Sequence, residues 1–353
     1  MNAQEAIALL KQLIAIPSFS KKEDKTADVL EGFLKERGCQ VNRARNNVWV
    51  RNDHYDSKNP TLLLNSHHDT VKPNAGYTKD PFSPEVEEEK LYGLGSNDAG
   101  GPLVSLIAAF LHFKSATNLN FNIILAATAE EEISGKNGIE SIIPELGTID
   151  FAVVGEPTLM QMAIAEKGLM VLDCYAHGKA GHAAREEGEN AIYKAWNDIE
   201  WFRSYRFEKE SAMLGKVKMQ VTQIEAGSQH NVVPDTCHFV VDVRATDAYS
   251  LEETLKIIRD HTACEVKPRS VRLQPSGISE EHPILEVAKE LDIGTYGSPT
   301  LSDQALMPWP SVKIGPGNSA RSHTADEYIG LDEIEKGIEG YVKIIDKLNE
   351  IWQ

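Results

Sequence analysis

The stretch Thr61-Leu62-Leu63-Leu64-Asn65-Ser66-His67-His68-Asp69 decides how this chain is read. It opens on a continuous apolar run and closes on polar residues alone. A run that is apolar at every position, rather than every second one, suits a strand buried on both faces, as in a parallel sheet covered by helices. The runs at 121–127 and 151–154 repeat the pattern, and each leads into polar residues. Glu130-Glu131-Glu132 follows the first and Gly155-Glu156-Pro157 the second.

Helical patterns lie between and around these strands. Ala6, Leu9, Leu10, Leu13 and Ile14 recur at helical spacing. The segment 23–37 stops at Gly38, a suitable C-terminal cap, and 102–113 opens on Pro102, which suits a first helical turn. This alternation predicts an α/β fold with a mostly parallel sheet. From about Gly168 the order changes to strands at 169–175, 216–224, 237–243 and 265–273, with helices at 190–202 and 251–261. That βαββαβ order is ferredoxin-like: one antiparallel sheet with helices on one face. Beyond 276 the α/β pattern resumes, with a helix at 283–291, a strand at 312–314 and a last helix from about Asp332. The expectation is a larger domain in two parts, 1–167 and 277–353, interrupted by a smaller one at 168–276.

The chain has 353 residues, 41% of them hydrophobic and 25% charged, which is ordinary for a globular protein. Its formal charge of −17 argues against nucleic acid or an anionic membrane as partner, because either needs a basic face. No stretch is apolar for long enough to span a bilayer. The first residues lack the basic start and apolar run of a secretory signal. The 4 cysteines (Cys39, Cys174, Cys237, Cys264) are scattered without a CxxC pair and read as reduced. A cytoplasmic protein is expected.

The chemistry-bearing residues stand where the strands end. In open α/β sheets, ligands bind outside the carboxyl ends of the strands. There, His67, Glu132 and Glu156 would meet His323, reached from the strand at 312–314 through Gly315-Pro316-Gly317. Asp98, in the glycine-rich loop 93–101, would be a fifth. A glutamate triplet is usually a solvated charge run, and a strand-end histidine is usually structural. Here they follow buried strands, and all five positions fall at one sheet edge. Nitrogen and carboxylate ligands without thiolate suit zinc, with cobalt or manganese as substitutes. Two Zn²⁺ would be neutralised by Asp98, Glu132, Glu156 and a bridging hydroxide. Two residues apart on a strand, His67 and Asp69 share a face, so Asp69 can accept the second ring N–H of His67. His68 points the other way.

These residues resemble the co-catalytic di-zinc family of acetylornithine deacetylase, succinyl-diaminopimelate desuccinylase, aminoacylase, glutamate carboxypeptidases and allantoate amidohydrolase. The resembling segments run nearly from end to end, among them 67–71, 80–101, 128–135, 154–158, 178–183, 231–235, 242–244 and 315–328. The resemblance implies that Asp98 bridges two metals, with His67 and Glu156 at one and Glu132 and His323 at the other. Glu131 matches the general base, which takes a proton from water and passes it to the leaving nitrogen. Gly181-His182-Ala183 is similar to the segment whose histidine reaches the partner subunit's active site and steadies the oxyanion. Asn231 and Arg244 match substrate contacts, Arg244 through a carboxylate. The insert would be a dimerisation or lid domain, and the protein a homodimer.

The stretch Asp69-Thr70-Val71 fits the acetylornithine-deacetylase side of the family, although Lys72 separates Val71 from Pro73. Leu94 stands where arginine is common, and Ala99-Gly100 where Met-Lys is common. The implied reaction is hydrolysis of an N-acyl amino acid, first N-acetyl- or N-succinyl-L-ornithine in arginine biosynthesis. The alternative is a di-zinc dipeptidase or aminopeptidase. A non-catalytic binding protein on the same scaffold is opposed by the intact Glu131 and the full ligand set.

Overall fold

The computed structural model describes residues 1–351, and the chain divides into two compact units. The first comprises Met1–Ile164, Gly277–Tyr296 and the chain from Ser302 onward; the second comprises Ala165–Ser276 and Gly297–Leu301.

In the first unit, Thr61–His67 is the central strand and is buried at every position, as its unbroken apolar run predicts. It pairs in parallel with Asn122–Thr128 on one side and Phe151–Val154 on the other. Ser311–Lys313 extends the parallel set beyond Phe151–Val154. The hairpin Val41–Ala44 and Asn47–Arg51 adds antiparallel strands next to Asn122–Thr128, and Met162–Glu166 pairs antiparallel with Ser311–Lys313. The sheet is therefore mostly parallel at its centre and antiparallel at its flanks. The hairpin is absent from the sequence reading because Asn42, Arg43, Asn47 and Arg51 break up its few apolar residues.

Helices cover the sheet for reasons visible in their composition. Ala3–Ile14 starts in a capping box, with Asn2 accepting from the Glu5 N–H and the Glu5 side chain returning to the Asn2 N–H. It buries Ala6, Leu9, Leu10, Leu13 and Ile14. Gly101–Phe113 is apolar nearly all round and almost wholly buried, as such a helix must be. Leu331–Ile351 packs against it through Ile334, Tyr341, Ile344, Ile345 and Leu348. Tyr341 also donates from its hydroxyl to the Ile314 carbonyl at 2.6 Å, just past the last parallel strand.

The second unit has the expected βαββαβ order. Its sheet runs Lys218–Ala226, Thr236–Ala245, Gly168–His177, Glu265–Pro268, antiparallel throughout. Gly168–His177 alternates buried and half-buried residues, and its buried side packs with the helices Ala191–Ser204 and Leu251–His261. Two sequence assignments need correction. The last strand stops at Pro268 rather than 273, with one further main-chain bond from the Arg269 N–H to the Val171 carbonyl at 2.9 Å. Only an isolated bridge joins Leu169 to Leu273 further along. The strand expected at 216–224 lies at Lys218–Ala226 and is exposed over its second half. Among the described residues no helix is long and apolar enough to cross a membrane.

Candidate metal centre

Four ligand-bearing segments leave the carboxyl edge of the parallel strands. His67 is the last residue of its strand and is 1% exposed. Its Nε2 faces a ring of carboxylates: Asp98 Oδ1 at 3.3 Å, Glu156 Oε1 at 3.7 Å and Glu131 Oε2 at 3.8 Å. His323 Nε2 lies 2.9 Å from Glu132 Oε2 and 3.8 Å from Asp98 Oδ2. Asp98 thus stands between the two imidazoles. Ligand atoms of His67, Glu131 and Glu156 all lie within 4.8 Å of one another, as do those of His67, Asp98 and Glu132. The structure brings together every sequence-predicted ligand. It also places Glu131 among the ligand-capable atoms rather than apart from them.

The local chain explains how repelling groups are held so close. After Asn122–Thr128 the backbone turns sharply: Glu130 and Ser134, both non-glycine, adopt left-handed conformations on either side of the short helix Glu131–Ile133. Asp69 secures this turn. Its Oδ1 accepts from the Glu131 N–H at 3.0 Å and its Oδ2 from the Glu132 N–H at 3.3 Å and the Ser20 hydroxyl at 2.7 Å. The relation of Asp69 to His67 differs from the simple strand-face picture. The strand ends at His67, and the nearest acceptor to His67 Nδ1 is the Asp69 main-chain carbonyl at 3.0 Å, with the carboxylate at 3.5 Å. The same residue therefore orients the imidazole and the glutamate turn. His68 points away, its ring between Thr26 Oγ1 at 2.9 Å and the Asn46 carbonyl at 2.8 Å.

Electrostatics test whether the residues fit a cation. Burial disfavours charge on His67, but Glu131, Asp69, Asp98 and Glu156 outweigh it and hold its pKa well above the usual imidazole value. Burial pushes the Glu131 carboxyl well above the carboxylate range, and repulsion from Glu156, Asp303 and Glu132 adds to this. The bond to Glu132 lifts His323 to about 9. Carboxylates packed this closely around two imidazoles favour a cation among them, and nitrogen and oxygen donors at these separations fit divalent metals.

Two buried acids here carried no sequence signal beyond a lone letter. Asp303 accepts from the Thr128 hydroxyl at 2.7 Å, and burial raises it to about 6. Glu327 accepts three main-chain N–H groups from the turn that carries Asp98.

The remaining predicted residues belong to the second unit. His182 is exposed on the two-residue strand Gly181–His182, and its Nδ1 accepts from the Ala184 N–H at 3.1 Å. Asn231 is exposed, and its carbonyl accepts from the Ala183 N–H at 2.9 Å. Arg244 forks onto Asp242 of its own strand, with Nε at 2.9 Å and the second nitrogen at 3.0 Å.

Comparison with known proteins identifies the family. The sequence model of peptidase family M20/M25/M40 matches residues 63–347. Acetylornithine deacetylase of Proteus mirabilis is 28% identical over 366 residues, spanning 93% of this chain and 93% of its own. The aminopeptidase PepT of Bacillus cereus superposes with a TM-score of 0.79 at 18% identity, over 99% of each chain. A dinuclear metal-binding peptidase of the M20 family from Bacillus subtilis superposes with a TM-score of 0.74 at 14% identity, again over 99% of each. This chain belongs to peptidase family M20/M25/M40 and is a metal-dependent amidohydrolase.

Proposed function

We propose that the protein hydrolyses the amide bond of an N-acyl amino acid, with N-acetyl- and N-succinyl-L-ornithine the first substrates to try and arginine biosynthesis the setting. The observation that carries the reaction type is the buried His67 imidazole ringed by Asp98, Glu131 and Glu156, with His323 and Glu132 adjoining. His67, Asp98, Glu132, Glu156 and His323 would hold two Zn²⁺. When bound, the ions supply electrophilic polarisation of the amide carbonyl and lower the pKa of water. In the reaction, water adds to the acyl carbon, the carbon–nitrogen bond breaks, the departing amine receives a proton and the acyl group leaves as a carboxylate.

Glu131 suits that proton transfer. Burial and the neighbouring carboxylates raise the Glu131 carboxyl, the direction that a proton carrier needs. Asp69 holds the Glu131 main chain and the His67 ring in register, so the shuttle and the ligand share one support. Arg244 offers a planar fork for the substrate's α-carboxylate, a place now taken by Asp242. Asn231 would be a second substrate contact.

A homodimer through the second unit is part of the reading. Helix Ala191–Ser204 exposes Ile192, Tyr193 and Trp196, and the strand Lys218–Ala226 leaves one sheet edge open. His182 of one subunit would serve the partner's metals. The cysteines are free thiols, in keeping with a cytoplasmic enzyme. Peptidases among the structural relatives favour a second reading, a dipeptidase or aminopeptidase with the same metals.

A panel of acetyl- and succinyl-amino acids against free dipeptides separates the two readings. Acylated amino acids should be cleaved, chelation should silence the enzyme, and zinc or cobalt should restore it; preferential dipeptide cleavage would select the peptidase. Glu131→Gln should keep both metals, by elemental analysis, yet lose about 10²–10⁴-fold in turnover. Loss of a metal in that variant would make Glu131 a ligand. Arg244→Ala should weaken substrates with a free α-carboxylate and barely affect carboxamide analogues, whereas equal losses on acid and amide would assign Arg244 a structural role. Co-expressed Glu131→Ala and His182→Ala chains, each inactive alone, should recover roughly a quarter of native activity through mixed dimers. No recovery would place His182 in its own chain's site.

A further inference from the structure

Glu327 lies four positions after His323 in sequence and is 1% exposed. Its Oε1 accepts the main-chain N–H groups of Asn97 and Asp98, both at 2.9 Å, and its Oε2 accepts that of Gly95 at 3.2 Å. Its own carbonyl accepts from the Gly93 N–H at 3.0 Å. All four donors belong to the glycine-rich turn that carries Asp98. Immediately after Glu327, the strand Tyr328–Gly330 pairs antiparallel with Lys90–Tyr92, which leads into that turn.

A second clasp joins the same two segments. The Asn97 side chain donates to the Asn318 carbonyl at 3.1 Å and accepts from the Asn318 N–H at 2.9 Å. The stretch 318–327, which carries His323, is thereby tied to the turn 93–98 at both of its ends. Glu327 makes its tie at the Asp98 N–H itself.

Three converging N–H groups form a cradle for an anion. A neutral apolar side chain would leave them unpaired and buried, and glutamine would turn an NH₂ group toward at least one of them. A carboxylate placed here at the edge of an already anionic cluster is electrostatically costly, and the three N–H bonds it makes are what offset that cost.

We propose that Glu327 is a positioning residue of the metal centre. By gripping the Asn97 and Asp98 main chain, it holds the Asp98 carboxylate where it faces both His67 and His323, and so makes the site able to take a second ion. This rests on the two-metal reading above.

The test is calorimetric titration of Zn²⁺ into the full-length, chelator-stripped protein, with circular dichroism to confirm folding at the titration temperature. The native chain should take two ions. Glu327→Gln should bind its first ion and lose about 10–100-fold in affinity for the second, and the Co²⁺ absorption spectrum of the two-ion state should change. Glu327→Asp retains the charge but falls short of the turn, and should show the same selective loss; it decides the matter if the glutamine variant does not fold. Native second-ion affinity in either folded variant would overturn the role. A native chain that accepts only one ion would overturn the two-metal reading and this role with it, a failure recognisable without any variant.

Discussion

Carboxylates converging on one buried imidazole are the constraint around which the first unit is arranged. Asp98, Glu131 and Glu156 all approach His67 Nε2 within 4 Å, in a setting where burial alone opposes every charge. Like charges at such distances separate unless something covalent or hydrogen-bonded restrains them. Here the restraints are main-chain. Parallel strands fix where His67, the glutamate turn and Glu156 begin, Asp69 pins the turn by its N–H groups, and Glu327 does the same for the loop of Asp98. The polar end of the sheet is held by hydrogen bonds that the apolar centre makes rigid.

Much of this was legible in the sequence because burial leaves a strong periodic trace. The unbroken apolar runs before His67, Glu130 and Gly155 identify strands buried on both faces, and their polar ends identify the edge where chemistry collects. The alternation in Gly168–His177 likewise marks a sheet with one covered face. What escaped is short or depends on geometry at a turn. The strands Val41–Ala44 and Asn47–Arg51 mix polar with apolar residues and offer no unbroken run. Asp303 and Glu327 act through contacts with residues 175 and about 230 positions away, which no local pattern records. The role of Asp69 was read from strand alternation, yet alternation ends with the strand at His67, so its main chain and carboxylate divide the work.

The second unit shows a different economy. Arg244 and Asp242 sit two apart on one strand and neutralise each other in a planar fork. A cation suited to a carboxylate is thereby kept oriented without being left as a bare charge, and on the proposed reading a substrate's acid would exchange with a partner of its own kind. The exchange replaces one set of charge-assisted bonds with another.

The left-handed residues around the centre carry a consequence for how this chain can change. Glu130 and His323 hold φ values of 56° and 61°, a region that side chains with a Cβ occupy at some cost. Glycine would remove that cost at either place. At Glu130 it would also remove the carboxylate that accepts from the Asn137 side chain at 2.8 Å, and at His323 the imidazole itself. At His323, relief of backbone strain and loss of a proposed metal ligand would thus come by one substitution, whereas at Glu130 glycine would exchange strain for the lost bonds to Asn137.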